Sequence, residues 1–272
     1  MRESPLAPTV VVLHQTPARF TAAPMGMSIP ALRRVLGSLL DRGYRFVGFH
    51  DLAPGGARPG SIALTADDGY ASQHTHLRPL LRELGIPWTV FVLAGMLGKR
   101  NDWDHPWVSP RERHLTPDEV RQLAGEGVTI GSHGMTHVNL TALPDAALEE
   151  ELARSRDILR NLSGQPVDGV AYPWGLGNER VADAAKSAGY RLGFGADVGP
   201  TTGGSAAHAA PARASSFLIP RLGLYGPDQL FPALAAAAIG DSHPLRSLRG
   251  GLERLGQGLL GLAMAGHARH RA

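Results

Sequence analysis

Two adjacent carboxylates in the first half of the chain have the side-chain chemistry needed for hydrolysis at a metal ion. Asp67 and Asp68 precede Gly69 in the segment TADDGY. Neighbouring side chains on extended backbone point in opposite directions, so one carboxylate can face an ion while the other faces a substrate. Taken alone, the segment is more typical of a surface turn, because Asp and Gly are common turn residues.

Two histidines four residues apart, His133 and His137, lie in the segment GSHGMTH. Their imidazoles can converge on one ion if the backbone is helical or forms a tight loop, although a pair of surface histidines would show the same spacing. Together with Asp68 they supply two imidazoles and one carboxylate, which leaves coordination positions open. Open positions are typical of catalytic metal sites, where the ion acidifies water and polarises a substrate carbonyl.

The residue composition narrows the identity of the metal. The chain contains no cysteine, which excludes disulfides and thiolate ligands. A transition metal must therefore be held by histidine and carboxylate. Two imidazoles and one carboxylate favour Zn²⁺, with cobalt, nickel, iron and manganese as alternatives.

Strand-like apolar segments precede both motifs and alternate with helical stretches along the chain. The predicted strands are 10–13, 44–49, 61–65, 88–93, 128–130, 167–172, 190–194 and 217–224. The predicted helices are 29–41, 71–84, 144–162, 178–188 and one that begins with Thr116 as cap and Pro117 as first residue. This alternation predicts an α/β fold with a parallel sheet, and it does not distinguish a barrel from an open sheet.

The order of four motifs resembles the polysaccharide deacetylase family, also called the NodB-homology or carbohydrate esterase family 4 group. TADDGY (65–70) is similar to the family's Thr-Phe-Asp-Asp-Gly motif, and SHGMTH (132–137) to its His-Ser/Thr-x-x-His motif. AYPWG (171–175) is similar to a third motif that usually ends in Pro-Tyr-Gly, and IPRLGL (219–224) to a late strand of bacterial members. Across residues 8–225, the resemblance implies a distorted (β/α) barrel, a divalent metal ion, usually zinc, and hydrolysis of N-acetyl groups on amino sugars.

The resemblance also implies roles for individual residues. Asp67 would be the general base that activates water. Backbone N–H groups near Trp174 would stabilise the oxyanion. The implied metal ligands are Asp68, His133 and His137, and the implied substrate-binding or oxyanion residues are Tyr172, Pro173, Trp174 and Arg221.

The general acid is predicted to be His14. An amine leaves poorly unless it is protonated, so an acid is required. Many family members supply it from a late Leu-x-x-His motif, but no histidine lies between Phe217 and His243 here. His14 ends the first predicted strand and is similar to the N-terminal histidine of a permuted subset of the family. The alternative is a histidine that merely caps this strand.

Three positions depart from the family pattern. Ala66 stands where phenylalanine is usual, and Trp174 stands where tyrosine is usual. Many members begin the third motif with an arginine that orients the base, and none stands at position 170 or 171. Arg221 could take that role, since a guanidinium pairs well with a carboxylate.

These observations predict a metal-dependent carbohydrate N-deacetylase that releases acetate from a glycan, an oligosaccharide or a lipid-linked sugar. One alternative is a hydrolase of the same fold that acts on a non-sugar amide or imide, with residues 98–114 setting its specificity. The other is a non-catalytic glycan-binding protein with a decayed site, against which the retained Asp67, Asp68, His133 and His137 argue. The sequence does not specify the oligomeric state.

Bulk composition constrains partners and location. The 27 Lys and Arg against 24 Asp and Glu give a net charge of +3, which gives no case for nucleic-acid binding. The sequence shows neither an apolar segment long enough to span a bilayer nor a secretory pattern at its start, so we expect a cytoplasmic protein.

Two regions are predicted, a catalytic domain at 1–235 and a Leu/Arg/Gly-rich helical tail at 236–272. Leucines in the tail recur at three- and four-residue spacing with arginines among them, which indicates a helical apolar stripe. We favour a helix that closes the fold. The alternative is a helix that makes weak contact with a membrane surface, making the protein membrane-peripheral, or that pairs with a second copy.

Overall fold

The computed structural model describes residues 8–21, 23, 25–52, 60–101, 111–197, 216–230 and 232–239. The strands in these parts are β1 (Thr9–Leu13), β2 (Arg45–Val47), β3 (Ser61–Ala66), β4 (Trp88–Val92), β5 (Thr129–Ser132), β6 (Gly169–Ala171), β7 (Leu192–Asp197) and β8 (Ile219–Gly223). The α-helices are α1 (Ile29–Asp41), α2 (Arg78–Leu84), α3 (Pro117–Gly125), α4 (Asp145–Ser163), α5 (Glu179–Ser187) and α6 (Pro232–Ile239).

The strands form a closed parallel barrel. β1 pairs in parallel with both β3 and β8, which closes a ring of seven strands, and β2 pairs with the first half of β3 beside that ring. Leu13 lies opposite Ala66, and Val92 lies opposite Ser132. The carboxyl ends of these strands therefore meet at one face of the barrel. The predicted distorted (β/α) barrel is confirmed.

Helices cover the outside of the barrel because each has one apolar face. In α1, residues at three- and four-residue spacing, such as Leu32, Leu36 and Leu39, are fully buried and share one core cluster with the strands. α3 begins with a capping box, in which Thr116 accepts from the Glu119 N–H and the Glu119 side chain accepts from the Thr116 N–H.

Aromatic rings fill the barrel interior. Phe49, Phe91 and Phe194 form a second buried cluster inside the ring of strands. Glycines on the strands make room for them, since a Cβ at Gly131 would lie 2.4 Å from Phe91 and one at Gly169 would lie 2.4 Å from Phe49. The interior is therefore packed, and any site must lie at an end of the barrel.

Three predicted boundaries differ from the structure. The strand predicted at 44–49 is only β2, because the chain turns into a 3₁₀ segment, Phe49–Leu52, whose first ring enters the barrel. The helix predicted at 71–84 contains a π-helical turn, Gln73–Leu77, before α2. The boundary predicted after residue 235 falls inside α6, whose Ala235, Ala236 and Ile239 are buried in the main core.

Several predicted features lie outside the described residues. They include residues 240–272, which hold most of the predicted tail, and residues 102–110, which hold most of the loop predicted to set specificity. Among the helices that the structure describes, none has the length and apolar character needed to cross a membrane.

Candidate active site

Side chains from five strands meet at the carboxyl face of the barrel, where parallel barrels carry their catalytic residues. Each follows or belongs to one strand, so the fold brings together residues that are far apart in the chain. The contributions are His14 after β1, Asp67 and Asp68 after β3, His133 and His137 after β5, Trp174 after β6, and Arg221 from β8.

Asp68, His133 and His137 form a compact donor set. One ligand atom from each, a carboxylate oxygen or an imidazole nitrogen, lies within 4.8 Å of the other two. Asp68 Oδ1 is 3.4 Å from His133 Nε2 and 3.3 Å from His137 Nε2. All three side chains are almost completely removed from solvent.

This donor set fits one divalent ion. A tetrahedral zinc site with bonds of about 2.0–2.1 Å has ligand atoms roughly 3.4 Å apart, and the two Asp68 contacts have that separation. No described residue makes a well-formed hydrogen bond to the buried Asp68 Oδ1. A buried carboxylate oxygen is unfavourable without a hydrogen bond or a bound cation.

The protonation states of two of these donors also suit a cation. Burial lowers the pKa of His137 to about 4, so at pH 7 its imidazole is neutral and offers a lone pair. Burial alone would raise the pKa of the Asp68 carboxyl, but contact with His133 and the charge of His137 hold that pKa below its ordinary value. Asp68 is therefore an anion.

Backbone strain is concentrated at this site. Among the described residues, the non-glycine positions with positive φ are Asp68 (67°), His137 (61°) and Trp174 (62°). Left-handed backbone is unfavourable for residues with a Cβ and persists only where surrounding contacts fix it. Gly69, with φ 65°, follows Asp68, and a Cβ there would press on Val92 at 3.3 Å.

Hydrogen bonds fix each member of the donor set. The backbone carbonyl of Asp68 accepts from His114 Nδ1 at 2.8 Å, and that of His137 accepts from Trp174 Nε1 at 3.1 Å. His133 Nδ1 donates to the Ala171 carbonyl at 2.8 Å. Because a carbonyl only accepts, the proton of a neutral His133 is on Nδ1, which leaves Nε2 free to bind an ion.

Asp67 is held by a buried bidentate ion pair. Arg221 donates to both carboxylate oxygens of Asp67 at 2.7 Å, and the guanidinium lies over Phe91 and Phe194 at 5.7 and 5.9 Å from the ring centres. Burial alone would raise the pKa of Asp67, but the charges of Arg221 and then of His133 hold it below its ordinary value. The contact predicted between Arg221 and the carboxylate is therefore present.

His14 lies beside this charge cluster. When it is protonated, its charge helps to lower the pKa of both Asp67 and Asp68, which places it within electrostatic reach of them. Its ring packs near Tyr225, with 5.9 Å between the ring centres, and its Nδ1 is buried with no hydrogen-bond partner among the described residues. Its role as general acid stays a prediction.

The residues of the third motif, AYPWG (171–175), lie partly in the core and partly at the surface. The Tyr172 phenol is completely buried and donates to the Phe217 carbonyl at 2.8 Å, and Pro173 is buried as well. Neither side chain is available to a ligand, so a substrate role there can involve only backbone groups. Trp174 is 53% exposed, and its ring packs against His137 at a tilt of 48°, with 4.5 Å between the ring centres.

The contacts of two further residues with the site, Gln73 and His114, were not predicted from the sequence. Gln73 is fully buried, and its Nε2 donates to the carbonyls of His14 and Asp67 at 2.9 and 2.6 Å. His114 is fully buried, stacks on Tyr70 and holds Asp68. The only sequence signal for His114 is its place just before the Leu115–Thr116 helix start, and Gln73 has none beyond following the carboxylate motif.

Comparison with known proteins identifies the family. The family model for polysaccharide deacetylase matches residues 55–193, just over half of the 272 residues. The chain is 31% identical over 132 residues to a chitooligosaccharide deacetylase of Rhizobium leguminosarum bv. trifolii, covering 48% of this chain and 54% of that protein. It is 24% identical over 143 residues to a poly-beta-1,6-N-acetyl-D-glucosamine N-deacetylase of Staphylococcus aureus (strain MRSA252), covering 49% and 47%. The chain spans about half the length of the curated relatives it matches.

Solved structures share the fold over most of the chain. The Streptococcus pyogenes deacetylase PplD, solved in complex with acetate, has a TM-score of 0.69 at 18% identity and covers 86% of this chain and 99% of its own. IcaB from Ammonifex degensii has a TM-score of 0.68 at 20% identity, covering 85% and 97%. At these identities the likeness is one of fold.

Proposed function

The chain belongs to the polysaccharide deacetylase family, and we propose that it is a metal-dependent N-deacetylase that releases acetate from an N-acetylated amino sugar. One observation carries the proposal. A donor set for one divalent ion lies directly beside a buried carboxylate that Arg221 holds as an oriented anion. A site for an ion next to an oriented base is the arrangement used in metal-assisted hydrolysis of an amide by water.

Asp68, His133 and His137 would hold the ion, and zinc suits two imidazoles and one carboxylate. When bound, the ion would lower the pKa of a water molecule and polarise the substrate carbonyl. The hydrogen bonds from His114 and Trp174 fix the backbone of two ligands, so the donor atoms need little rearrangement on binding.

Asp67 is the proposed general base. Its carboxylate is ionised at neutral pH and cannot rotate away, because both oxygens are bound by Arg221. It accepts a proton from the attacking water as that water adds to the carbonyl carbon. The backbone N–H near Trp174 stabilises the negative charge that develops on the carbonyl oxygen.

His14 is the proposed general acid. The carbon–nitrogen bond breaks only when the departing amine receives a proton, and His14 lies within electrostatic reach of Asp67 at the same face. Proton donation by His14 releases the free amino sugar, and acetate is the second product.

A sugar is the proposed substrate because Trp174 offers an exposed apolar face beside the proposed metal ligand His137. Its indole is exposed beside His137, and Leu176, two residues later, is 39% exposed. Aromatic faces cover sugar rings well, and the polar edge of an indole can remain hydrogen-bonded, as Trp174 Nε1 is to His137. The relatives named for chitooligosaccharide and poly-N-acetylglucosamine support this substrate class.

The test is acetate release from N-acetylglucosamine oligomers, a β-1,6-linked polymer and a set of non-sugar acetamides, with metal-free protein and added zinc. We expect zinc-dependent release from a sugar and a fall of about 10²–10⁴-fold in Asp67→Asn. His14→Ala should lose far more activity on the amide than on an activated acetate ester, whose leaving group needs no proton. The exposed His50 provides the control, His50→Ala, which should keep full activity.

Other outcomes would redirect the proposal. Release only from non-sugar acetamides would identify the amide or imide hydrolase instead. No release from any substrate by protein that purifies without metal would indicate a non-catalytic glycan-binding protein.

A further inference from the structure

We propose that Gln73 is a positioning residue that fixes Asp67 and His14 relative to each other. The functional part of this inference rests on the proposed function, in which these two residues are base and acid. Gln73 is fully buried, and its one side-chain amide group binds the backbone of both. It touches neither the donor set nor the substrate entrance through any described contact.

The Gln73 side chain continues the hydrogen bonding between β1 and β3 past the last backbone bond of that pair. β1 and β3 run side by side with Leu13 opposite Ala66, and the last backbone bond runs from the Asp67 N–H to the Leu13 carbonyl at 2.9 Å. Just beyond it, the carbonyls of His14 and Asp67 both accept from Gln73 Nε2, at 2.9 and 2.6 Å. The two hydrogens of one amide group thus join the segments that follow β1 and β3.

The orientation of the Gln73 amide is determined by its partners. Both partners are carbonyl oxygens, which only accept, so the NH₂ group must face them. The opposite atom, Gln73 Oε1, is buried and receives no hydrogen bond from any described residue. A buried acceptor without a donor is unfavourable, so the two donated bonds must offset the cost of burying this amide.

Gln73 is itself held in place. It is the first residue of the π-helical turn Gln73–Leu77, its N–H donates to the Tyr70 carbonyl at 3.0 Å, and its carbonyl accepts from the Arg78 N–H. Wide turns of this kind occur often at functional sites. The turn directs the Gln73 side chain inward beneath the carboxylate motif.

The ladder bond from the Asp67 N–H to the Leu13 carbonyl stops one residue short of His14, so the Gln73 amide is what joins the His14 and Asp67 carbonyls beyond it. His14 and Gln73 are 59 residues apart, while Asp67 and Gln73 are six apart. A misplacement of about 1 Å between reacting groups can lower a rate by roughly 100-fold. Removal of the amide should therefore impair proton transfer while leaving substrate binding and metal binding intact.

The chain offers a matched control for this contact. Gln165 Nε2 also donates to two backbone carbonyls, those of Ala124 and Val128, at 2.9 and 3.3 Å. That contact joins the ends of α4 and α3 and lies away from the site. Gln165→Met therefore removes the same kind of bridge without touching the base or the acid.

The first test compares Gln73→Met with Gln165→Met in the full, zinc-loaded chain. We expect kcat for the N-acetylated sugar to fall about 10- to 100-fold in Gln73→Met, with KM and bound zinc unchanged, and Gln165→Met to match the wild type. The loss should be larger on the amide than on an activated acetate ester. Gln73→Glu keeps the side-chain shape, replaces the donor by an acceptor and should show the same loss.

The second test does not depend on activity. Hydrogen exchange of the Asp67 amide should be at least about tenfold faster in Gln73→Met, with exchange in the middle of β3 unchanged. If the wild-type chain releases no acetate, the proposed function fails, and exchange still decides whether Gln73 joins the strand ends. Equal kinetics and equal Asp67 exchange in Gln73→Met and Gln165→Met would overturn the inference.

Discussion

The two ends of the barrel differ in which residue types occupy left-handed backbone positions. Among the described residues at the end where helices return to strands, each left-handed position that closes a helix is a glycine. These residues are Gly43, Gly85, Gly127, Gly164 and Gly189, one after each of α1 to α5. At the carboxyl end, the left-handed positions also include Asp68, His137 and Trp174. Glycines therefore keep backbone strain low at the helix-to-strand end, whereas the carboxyl end contains strained residues that carry a Cβ.

The strained positions coincide with the side chains to which the proposed chemistry assigns roles. A glycine at position 68 or 137 would relieve the backbone but remove a proposed metal ligand. Hydrogen bonds compensate instead, from His114 to the Asp68 carbonyl and from Trp174 to the His137 carbonyl. The comparison indicates that one end of the barrel serves stability and the other serves function.

The largest effect should come from the buried ion pair at the functional end. Arg221→Leu leaves the Asp67 carboxylate buried without its partner, which should lower the free energy of unfolding by about 3–5 kcal/mol. Arg33→Leu is the control, because Arg33 also binds a carboxylate, that of Glu83, with both nitrogens, but on the exposed surface. It should leave the urea midpoint unchanged.

The cause of the Arg221 effect can be tested with a double variant. If the loss arises from an unpaired buried charge, Arg221→Leu with Asp67→Leu should recover most of the stability lost in the single variant. A double variant no more stable than Arg221→Leu would assign the loss to packing against Phe91 and Phe194 instead.

The next effect concerns a strained metal ligand. Trp174→Phe keeps an aromatic ring beside His137 but removes the hydrogen bond from Nε1 to the His137 carbonyl. We expect zinc affinity to fall about tenfold, as measured by competition with a chelator. Trp88→Phe, at the start of β4 near the opposite end, should leave affinity unchanged. Equal zinc affinities in the two variants would show that the hydrogen bond to the His137 carbonyl does not contribute to metal binding.

A partly buried ion pair near the functional end should make stability depend on pH. Hydrogen bonds from Arg113 lower the pKa of Glu119 to about 2, against about 4.3 in the unfolded chain. The stabilisation is therefore present above about pH 4.3 and is lost as the pH falls towards 2. Urea unfolding of Glu119→Gln, which can keep the capping box, should show a deficit of about 1 kcal/mol at pH 6 that disappears near pH 2. A deficit that is the same at both pH values would exclude the ion pair as its source.

The smallest effects should come from two helix glycines, one that closes α4 and one inside α1. Gly164 closes α4 with φ 68° and has no atom within 4 Å of an added Cβ, so Gly164→Ala should destabilise by about 1 kcal/mol through backbone strain alone. Gly37 in α1 also has open space but no positive φ, so Gly37→Ala should stabilise by about 0.5–1 kcal/mol. Both variants should keep full activity, and thermal unfolding of the pair would reveal any departure from these opposite signs.

Local patterns in the sequence predicted the elements and the main motif residues. α1 has the predicted bounds, and Thr116 and Pro117 begin α3 as expected, because spacing and capping act over a few residues. The donor set of Asp68, His133 and His137 could be predicted as well, since parallel strands bring their carboxyl ends together.

The contact of Arg221 with Asp67 was predicted across 154 residues, but two other contacts between distant segments could not be predicted. The bond from His114 to Asp68 joins residues 46 apart, and the bond from Gln73 to His14 joins residues 59 apart, with no periodicity to indicate either. Tyr172 belongs to a functional motif, yet its phenol packs in the core because Gly177 and Gly193 leave room for it. Motif membership indicates where the backbone lies, whereas the direction of a side chain is decided by packing.

The most direct test of the central claim is a titration of zinc into metal-free protein, with bound zinc and acetate release from an N-acetylated sugar measured together. We predict that release rises with bound zinc and saturates at one ion per chain. Asp67→Asn should bind the same ion with acetate release lowered about 10²–10⁴-fold, and Asp68→Ala should lose both zinc binding and release. Full acetate release without metal, or zinc binding that survives in Asp68→Ala, would contradict the assignment of this end of the barrel as a one-metal deacetylase site.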